Sequence, residues 1–426
     1  MSTMKARMAV GVRIRPEQFG GVAYVSRRDD FFALDSRIYA FVARISSMAW
    51  VDIPDASRRA TSQLAELGIV ETDPVTAFTP YSGPGFIGDF IDLVSVRDPL
   101  VLNCFSTAHC PLRCRYCHAD DLMGASRRES EDGAGAGNVG VLVSAALEIK
   151  SMVAVITGGD PLTRLDRAEP MIRGLGSSRS IVVDTSGVGD VSSLARLAKV
   201  AADVGAHVRV SIDSFSPVVQ TRVRPVNGKY ARGMNSYASA VLACRMMLEA
   251  GVAVSVQSVV SNANDGLDHL RKTRDFIISL GVQNWVLHVT AEAGLARKLE
   301  RSRRDSGRRS GGILPHPNGM GTLASLVDET VSSRLPIDLR VTDNNPTPNS
   351  VLLLGSDGNL YTEGMGHRGK VQIATPRSLA GFPDPAWAQY WDRQGHSRRY
   401  LNWPSRDLHA RGFRQSCIQL GEVSVP

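Results

Sequence analysis

Between residues 100 and 289 the sequence alternates six short apolar runs with longer mixed stretches, and that alternation limits the folds open to it. The runs are residues 100–105, 153–157, 181–185, 208–212, 252–260 and 285–289. Each has the length of a buried strand. Residues 141–149 read as a helix. Tyr237, Val241, Cys244 and Leu248 recur at spacings of four, three and four, which puts them on one helical face. Phe276, Ile277 and Leu280 repeat the pattern ahead of Gly281. Successive strand–helix units pack as a parallel sheet with right-handed crossovers. Such sheets bind their ligands at the C-terminal ends of the strands. The residues just after each run are therefore where chemistry is expected.

The first run leads into Cys110-Pro111-Leu112-Arg113-Cys114-Arg115-Tyr116-Cys117, a Cys-x3-Cys-x2-Cys motif. Three thiolates this close can hold three irons of a [4Fe-4S] cube. The motif offers no fourth protein ligand, which leaves one iron open to a substrate or cofactor. A structural zinc site is the competing reading, but zinc takes four ligands in two pairs and no second cysteine pair exists. A disulfide would strand an odd cysteine. Six cysteines in 426 residues, three of them clustered, fit a reducing cytoplasm. Residues 1–10 contain no signal-peptide core, and no apolar stretch is long enough to span a bilayer.

The cysteine motif resembles the signature of the radical S-adenosylmethionine (SAM) superfamily. The resemblance implies one [4Fe-4S] cluster at Cys110, Cys114 and Cys117, with SAM chelating the open iron. Reductive cleavage of SAM would yield a 5'-deoxyadenosyl radical. It also implies the fold class: α/β, a partial (β/α)6 barrel with an N-terminal winged-helix domain and a small C-terminal α+β domain. Further motifs fall after the second, third and fourth runs. Gly158-Gly159-Asp160-Pro161 resembles the family's Gly-Gly-Glu-Pro, whose carboxylate contacts the SAM amino group. Asp184-Thr185-Ser186-Gly187 stands where the family often has Thr-Asn-Gly, so Ser186 would reach SAM or substrate. Ser211-Ile212-Asp213 resembles a motif of the peptide-modifying branch, with Ser211 near the ribose. Arg224, eleven residues beyond Asp213, would grip the SAM carboxylate, with Arg222 as its rival. Tyr116 would pack near the adenine. His118 is either a proton donor or ligand, or a plain loop residue. Val259, Val260 and Asn264, and then Ala293-Gly294-Leu295-Ala296, echo later motifs of that branch. Cys104 and Cys244 read as core. No catalytic residue for the substrate step is identified.

Residues 1–80 read as a separate winged-helix unit, 95–297 as the barrel, 298–318 as a basic Gly/Ser linker and 319–426 as the C-terminal domain. Strands at 12–15, 21–25 and 31–34 precede an N-cap at Asp35 or Ser36. An amphipathic helix follows through Ile38, Phe41, Val42 and Ile45. A second helix runs over 56–67 to a Gly68 C-cap, with a short wing over 69–71. This order resembles the peptide-binding unit called the RiPP recognition element, which holds a precursor leader as an added strand. A DNA-binding winged helix and a structural cap compete with it. Residues 351–361, Gly369-Lys370-Val371 and 387–391 resemble the SPASM/twitch domain. Its auxiliary-cluster cysteines are replaced, and Cys417 alone cannot hold a second cluster. Residues 124–140 are polar and Gly-rich and read as exposed or disordered. The chain carries +7, with seven cations between Arg297 and Arg309. Interrupted by Ser and Gly, that segment reads as a solvated loop, and nucleic acid is not favoured as a partner. The implied partners are a precursor peptide and an external electron donor such as flavodoxin or ferredoxin, without a membrane. A small-molecule radical SAM enzyme and a non-enzymatic iron–sulfur module are the alternatives.

Overall fold

The computed structural model describes residues 4–45, 49–73, 86–87, 98–120, 138–227, 233–290, 292–307, 312–342, 351–363 and 370–374. The N-terminal part runs β1 (Met4–Met8), β2 (Val12–Glu17), β3 (Gly20–Val25), β4 (Asp30–Asp35), α1 (Ser36–Arg44), β5 (Val51–Ile53), α2 (Arg58–Glu66) and β6 (Val70–Asp73). Strands β2, β3 and β4 form consecutive antiparallel hairpins, and β1 pairs with β5 and β6. A further two-residue strand, β7 (Phe86–Ile87), lies parallel to the outer edge of β4. Asp35 caps α1, its carboxylate accepting the Ile38 N–H at 2.7 Å. Ile38, Val42 and Ile45 then pack on Phe32, Leu34 and Leu64. Gly68 follows α2 at φ +76°, the left-handed turn that a C-terminal cap requires.

All six sequence-predicted barrel strands form: β8 (Val101–Thr107), β9 (Val153–Gly158), β10 (Ser180–Thr185), β11 (His207–Ser211), β12 (Ala253–Val260) and β13 (Asn284–Val289). They are parallel, each beside its sequence neighbour. The helices between them are α3 (Val139–Glu148), α4 (Leu165–Gly176), α5 (Val191–Val204), α6 (Pro217–Val223), α7 (Ser236–Glu249) and α8 (Leu267–Ser279). Ile156, Val183, Val210, Val256 and Leu287, at alternate strand positions, join these helices in the main core. On α7 that contact is made by Ala240, Ala243, Cys244 and Met247. Tyr237 and Leu248, expected on the same face, lie at its margin. Cys104 and Cys244 are both fully buried there, as read from the sequence. No described helix is long and apolar enough to cross a membrane.

The later segments depart from expectation in two ways. The basic stretch read as a loop and linker is helical over its first part: α9 spans Gly294–Asp305. It is anchored at sites far apart in sequence, which a local reading of charge cannot see. Glu300 is buried and accepts the Ile313 and Leu314 N–H groups at 2.7 and 3.4 Å. After α10 (Gly319–Ser332), the C-terminal strands extend the barrel sheet at both edges. β14 (Asp338–Thr342) pairs parallel with β13, and β15 (Val351–Leu354) pairs parallel with β8. β16 (Leu360–Glu363) and β17 (Lys370–Ala374) follow antiparallel, with the expected hairpin joining β15 to β16. An open barrel has two unpaired edges, and these strands cover them. Residues 387–391, Cys417, Gly369 and most of 124–140 lie outside the described residues.

The turn between β3 and β4 docks at the opposite end of the barrel from the cysteine loop. Arg28 is fully buried, 2.9 Å from Asp338 at the start of β14. Asp29 grips Arg209 of β11 at 2.5 and 2.8 Å, and the Arg340 guanidinium donates to its carbonyl at 2.8 Å. Tyr24 and Phe31 pack with Val101, Val153, Val155 and Val182, the inward residues of the first barrel strands. Burial is the largest influence on His207 and His288, pulling them down to about 4 and about 3. Both stay neutral in the folded chain at moderate pH. An unfolded chain protonates imidazole below about pH 6.5. Each histidine therefore removes about 1.4 kcal/mol of stability per pH unit as pH falls from there. Burial would raise Asp29, but Arg209, His207 and Arg340 hold it at about 2. Its contribution is present above about pH 4 and is lost as pH falls through about 2. Thermal midpoints followed by circular dichroism should fall steadily below pH 6.5, and a flat profile down to pH 4.5 would contradict this account.

Candidate active site

The loop after β8 carries the three cysteines, and the segments picked out by motif hold its backbone. Gly159 N–H donates to the Thr107 carbonyl at 2.7 Å, and Asp160 N–H to His109 at 2.8 Å. Gly158 sits at φ +124°, with no room for a side chain beside Thr107. On the other side, Arg113 and Arg115 N–H groups donate to Pro225 and Val223, and Asn227 N–H donates to Pro111. Leu112 and Val226 form an antiparallel bridge there. From α9, Leu295 N–H donates to Cys117 at 2.9 Å, and Gly294 lies against the Cys117 and His118 carbonyls. His118 itself is exposed.

None of the three cysteines is in a disulfide. Burial pushes the Cys114 thiol up to about 12, against the pull of Arg224. Burial and then Asp160 raise the Cys110 thiol well above its usual range. Such thiols stay protonated alone and give up their protons to solvent when they bind a metal cation as thiolates. Among the described residues no three Cys, His or acidic side chains converge as ligands of one ion would. Three thiolates on separate irons of a cube meet no such requirement, and the donor set fits one.

Asp213 is the hub of the site. It is fully buried two residues beyond β11. Its Oδ1 accepts the Val259 N–H at 2.8 Å and Arg224 Nη2 at 3.2 Å. Its Oδ2 accepts Arg224 Nε at 2.8 Å and the Tyr116 hydroxyl. Gln220 accepts the Asp213 N–H, and Asn264 donates to the Asp213 carbonyl, both at 2.8 Å. The Tyr116 ring packs with Val223, Ala296 and Ile313, flanked by Cys114, Val259 and Ala263. That apolar patch beside the cysteine loop suits an aromatic base. Arg222 is exposed.

Asp160 is also buried, and its carboxylate is committed inside the protein. It accepts the Leu162 N–H at 3.0 Å, the Thr185 hydroxyl at 2.9 Å, and the Ser186 N–H and hydroxyl. Burial nevertheless raises it, because those donors offset only part of the lost hydration. Asp160 and Ser186, expected as separate SAM contacts, are thus one hydrogen-bonded unit. Ser211 is half-buried, its carbonyl accepting from Gln220 at 3.3 Å.

Inside the barrel lie polar residues to which motif reasoning gave no role. Asn103, Asp184, Arg209, Gln257 and His288 alternate with the outward core residues and remain half-buried. Arg209 pairs with Asp184 at 3.4 Å as well as with Asp29. Their signal was available, since fully covered parallel strands should read as unbroken apolar runs.

An open parallel barrel with a three-thiol loop and an aromatic patch at its strand C-termini defines an enzyme that works through a cluster and an adenosyl cofactor. Residues 105–277 match the model of the Radical SAM superfamily, and the chain contains a radical SAM domain there. It is a radical SAM enzyme whose cofactors are a [4Fe-4S] cluster and SAM. Held by this site, the two together would supply an adenosyl radical. Among solved structures, the chain resembles Streptococcus suis SuiB bound to S-adenosylmethionine, at 10% identity and TM-score 0.50, covering 83% of this chain and 82% of that one. It also resembles SuiB bound to precursor peptide SuiA, at 10% identity and TM-score 0.51, covering 95% of this chain and 93% of that one. At such identity the likeness is one of fold. No curated protein matches the chain.

Proposed function

We propose that this enzyme modifies a ribosomally made precursor peptide by hydrogen abstraction from the peptide. The observation that carries the reading is the sheet β2–β3–β4 with its helices, fused to the barrel and seated on its floor. The fold likeness that spans both parts is to an enzyme solved with a precursor peptide. An extended leader binds by adding a strand to a sheet edge. On β4 that edge already carries Phe86–Ile87, so a leader adding there displaces this short strand. Cys110, Cys114 and Cys117 hold the cluster, the Tyr116 patch receives the adenine, and the Asp160–Ser186 unit lies beside the SAM amino group. Asn103, Gln257 and His288 face the substrate. With the floor closed, the core peptide enters from the cysteine-loop end.

The test incubates reconstituted, dithionite-reduced protein with SAM and each short peptide encoded beside its gene. The expected outcome is 5'-deoxyadenosine formed in step with a mass change in one peptide. Turnover of SAM with no change in any of them would point to a small-molecule substrate. No 5'-deoxyadenosine at all would contradict the enzyme assignment.

A further inference from the structure

We propose that Arg224 donates a hydrogen bond to the Cys114 thiolate and thereby sets the reduction potential of the cluster. The sequence resemblance assigns this arginine to the SAM carboxylate. Its geometry gives it another task. Nε and Nη2 are both spent on Asp213, at 2.8 and 3.2 Å. The remaining nitrogen, Nη1, lies 3.9 Å from Cys114 Sγ. The guanidinium carbon stands 5.4 Å from the centre of the Tyr116 ring, within cation–π range. The side chain is 9% exposed, so little of it is left to water or to another ligand.

Asp213 keeps the arginine there. It is itself fixed by Val259, Gln220, Asn264 and Tyr116. Swinging Arg224 toward another anion would leave a fully buried carboxylate without its cation, which is strongly disfavoured. The same fork that pairs with Asp213 thus aims an N–H at a cluster ligand. Hydrogen bonds and charge near the sulfurs are what proteins use to tune such potentials. Reduction adds one electron to the cluster and makes its thiolates more negative. A fixed cation and N–H donor favours that reduced state, so removing it makes reduction harder.

The test is the midpoint potential of the cluster in the full-length protein, read by electron paramagnetic resonance during a redox titration without SAM. Iron content is measured first. Arg224→Gln should keep the cluster and shift its midpoint to more negative potential, with Arg224→Lys between it and wild type. Arg222→Gln, at an exposed neighbour, should leave the potential unchanged. SAM affinity is measured separately on the oxidised proteins. A wild-type potential with weakened SAM binding would overturn the proposal and return Arg224 to the SAM carboxylate. Should Arg224→Gln fail to hold iron, Arg224→Lys decides: it keeps the charge but cannot hold Asp213 and Cys114 together, and a wild-type potential there overturns the proposal.

Discussion

Gly159→Ala should yield a protein without its cluster, as empty as one in which Cys110, Cys114 or Cys117 is replaced by alanine. A methyl group at Gly159 would lie 1.8 Å from the His109 carbonyl oxygen and 2.2 Å from its carbon. Both are backbone atoms, so no side-chain rotation relieves the clash. The chain at residues 107–109 must move away, and Cys110 moves with it. Two hydrogen bonds, from Gly159 to Thr107 and from Asp160 to His109, are lost in the same displacement. Overpacking of this kind costs about 1–3 kcal/mol in stability, which the large core of the barrel can tolerate. Its effect on the site is far greater, because three thiols must meet three irons at fixed spacing. Bound iron should fall from about four per chain to background, and absorbance near about 400 nm should disappear. The secondary structure should remain. Cys104→Ala and Cys244→Ala should keep full iron, since both thiols face the helix-covered core. Iron content and the visible spectrum decide the matter, and wild-type iron in Gly159→Ala would refute this role for the Gly-Gly-Asp motif.

That motif also marks how far the sequence could be read. Its position after the second apolar run tied it to the cysteine loop. The hydrogen bonds that explain the tie become visible only when β8 and β9 are side by side. The six barrel strands were legible because both faces of a parallel strand are covered, so apolar runs such as that of β9 stand out. β15 was legible as half of a hairpin, but its parallel partner β8 is some 250 residues away in sequence, too far for a local pattern to reveal. Arg224 shows the same limit in the site. Its place eleven residues beyond Asp213 implies a contact with the SAM carboxylate. In the structure the two residues pair with each other.

Asp29→Ala should destabilise the whole barrel, although Asp29 belongs to the N-terminal unit. In sequence, Ser26 to Asp30 reads only as a polar turn between two strands. In the structure Asp29 is 3% exposed at φ +53°, a conformation aspartate tolerates better than most side chains. Its carboxylate neutralises Arg209 and accepts the Tyr24 hydroxyl at 3.0 Å, and Arg340 lies 3.7 Å away. Removing this carboxylate leaves Arg209 with only the more distant Asp184 at 3.4 Å, a loss that approaches the ~3–5 kcal/mol of a broken buried ion pair. Arg28→Ala acts on the same plug, since Arg28 pairs with Asp338 and also holds the Glu66 and Leu67 carbonyls at the end of α2. Both variants should lower the unfolding midpoint of the entire chain in a single transition. Separate transitions, with the barrel midpoint unchanged, would show that the two parts stand independently. The expected coupling has a practical consequence for function. Deleting residues 1–80 would expose Arg209, Arg340 and the apolar floor at Val101, Val153 and Val182. Loss of peptide processing in such a truncation would report a collapsed barrel as readily as a missing peptide-binding sheet. Substitutions at the outer edge of β2 or β4, which leave the plug intact, separate the two.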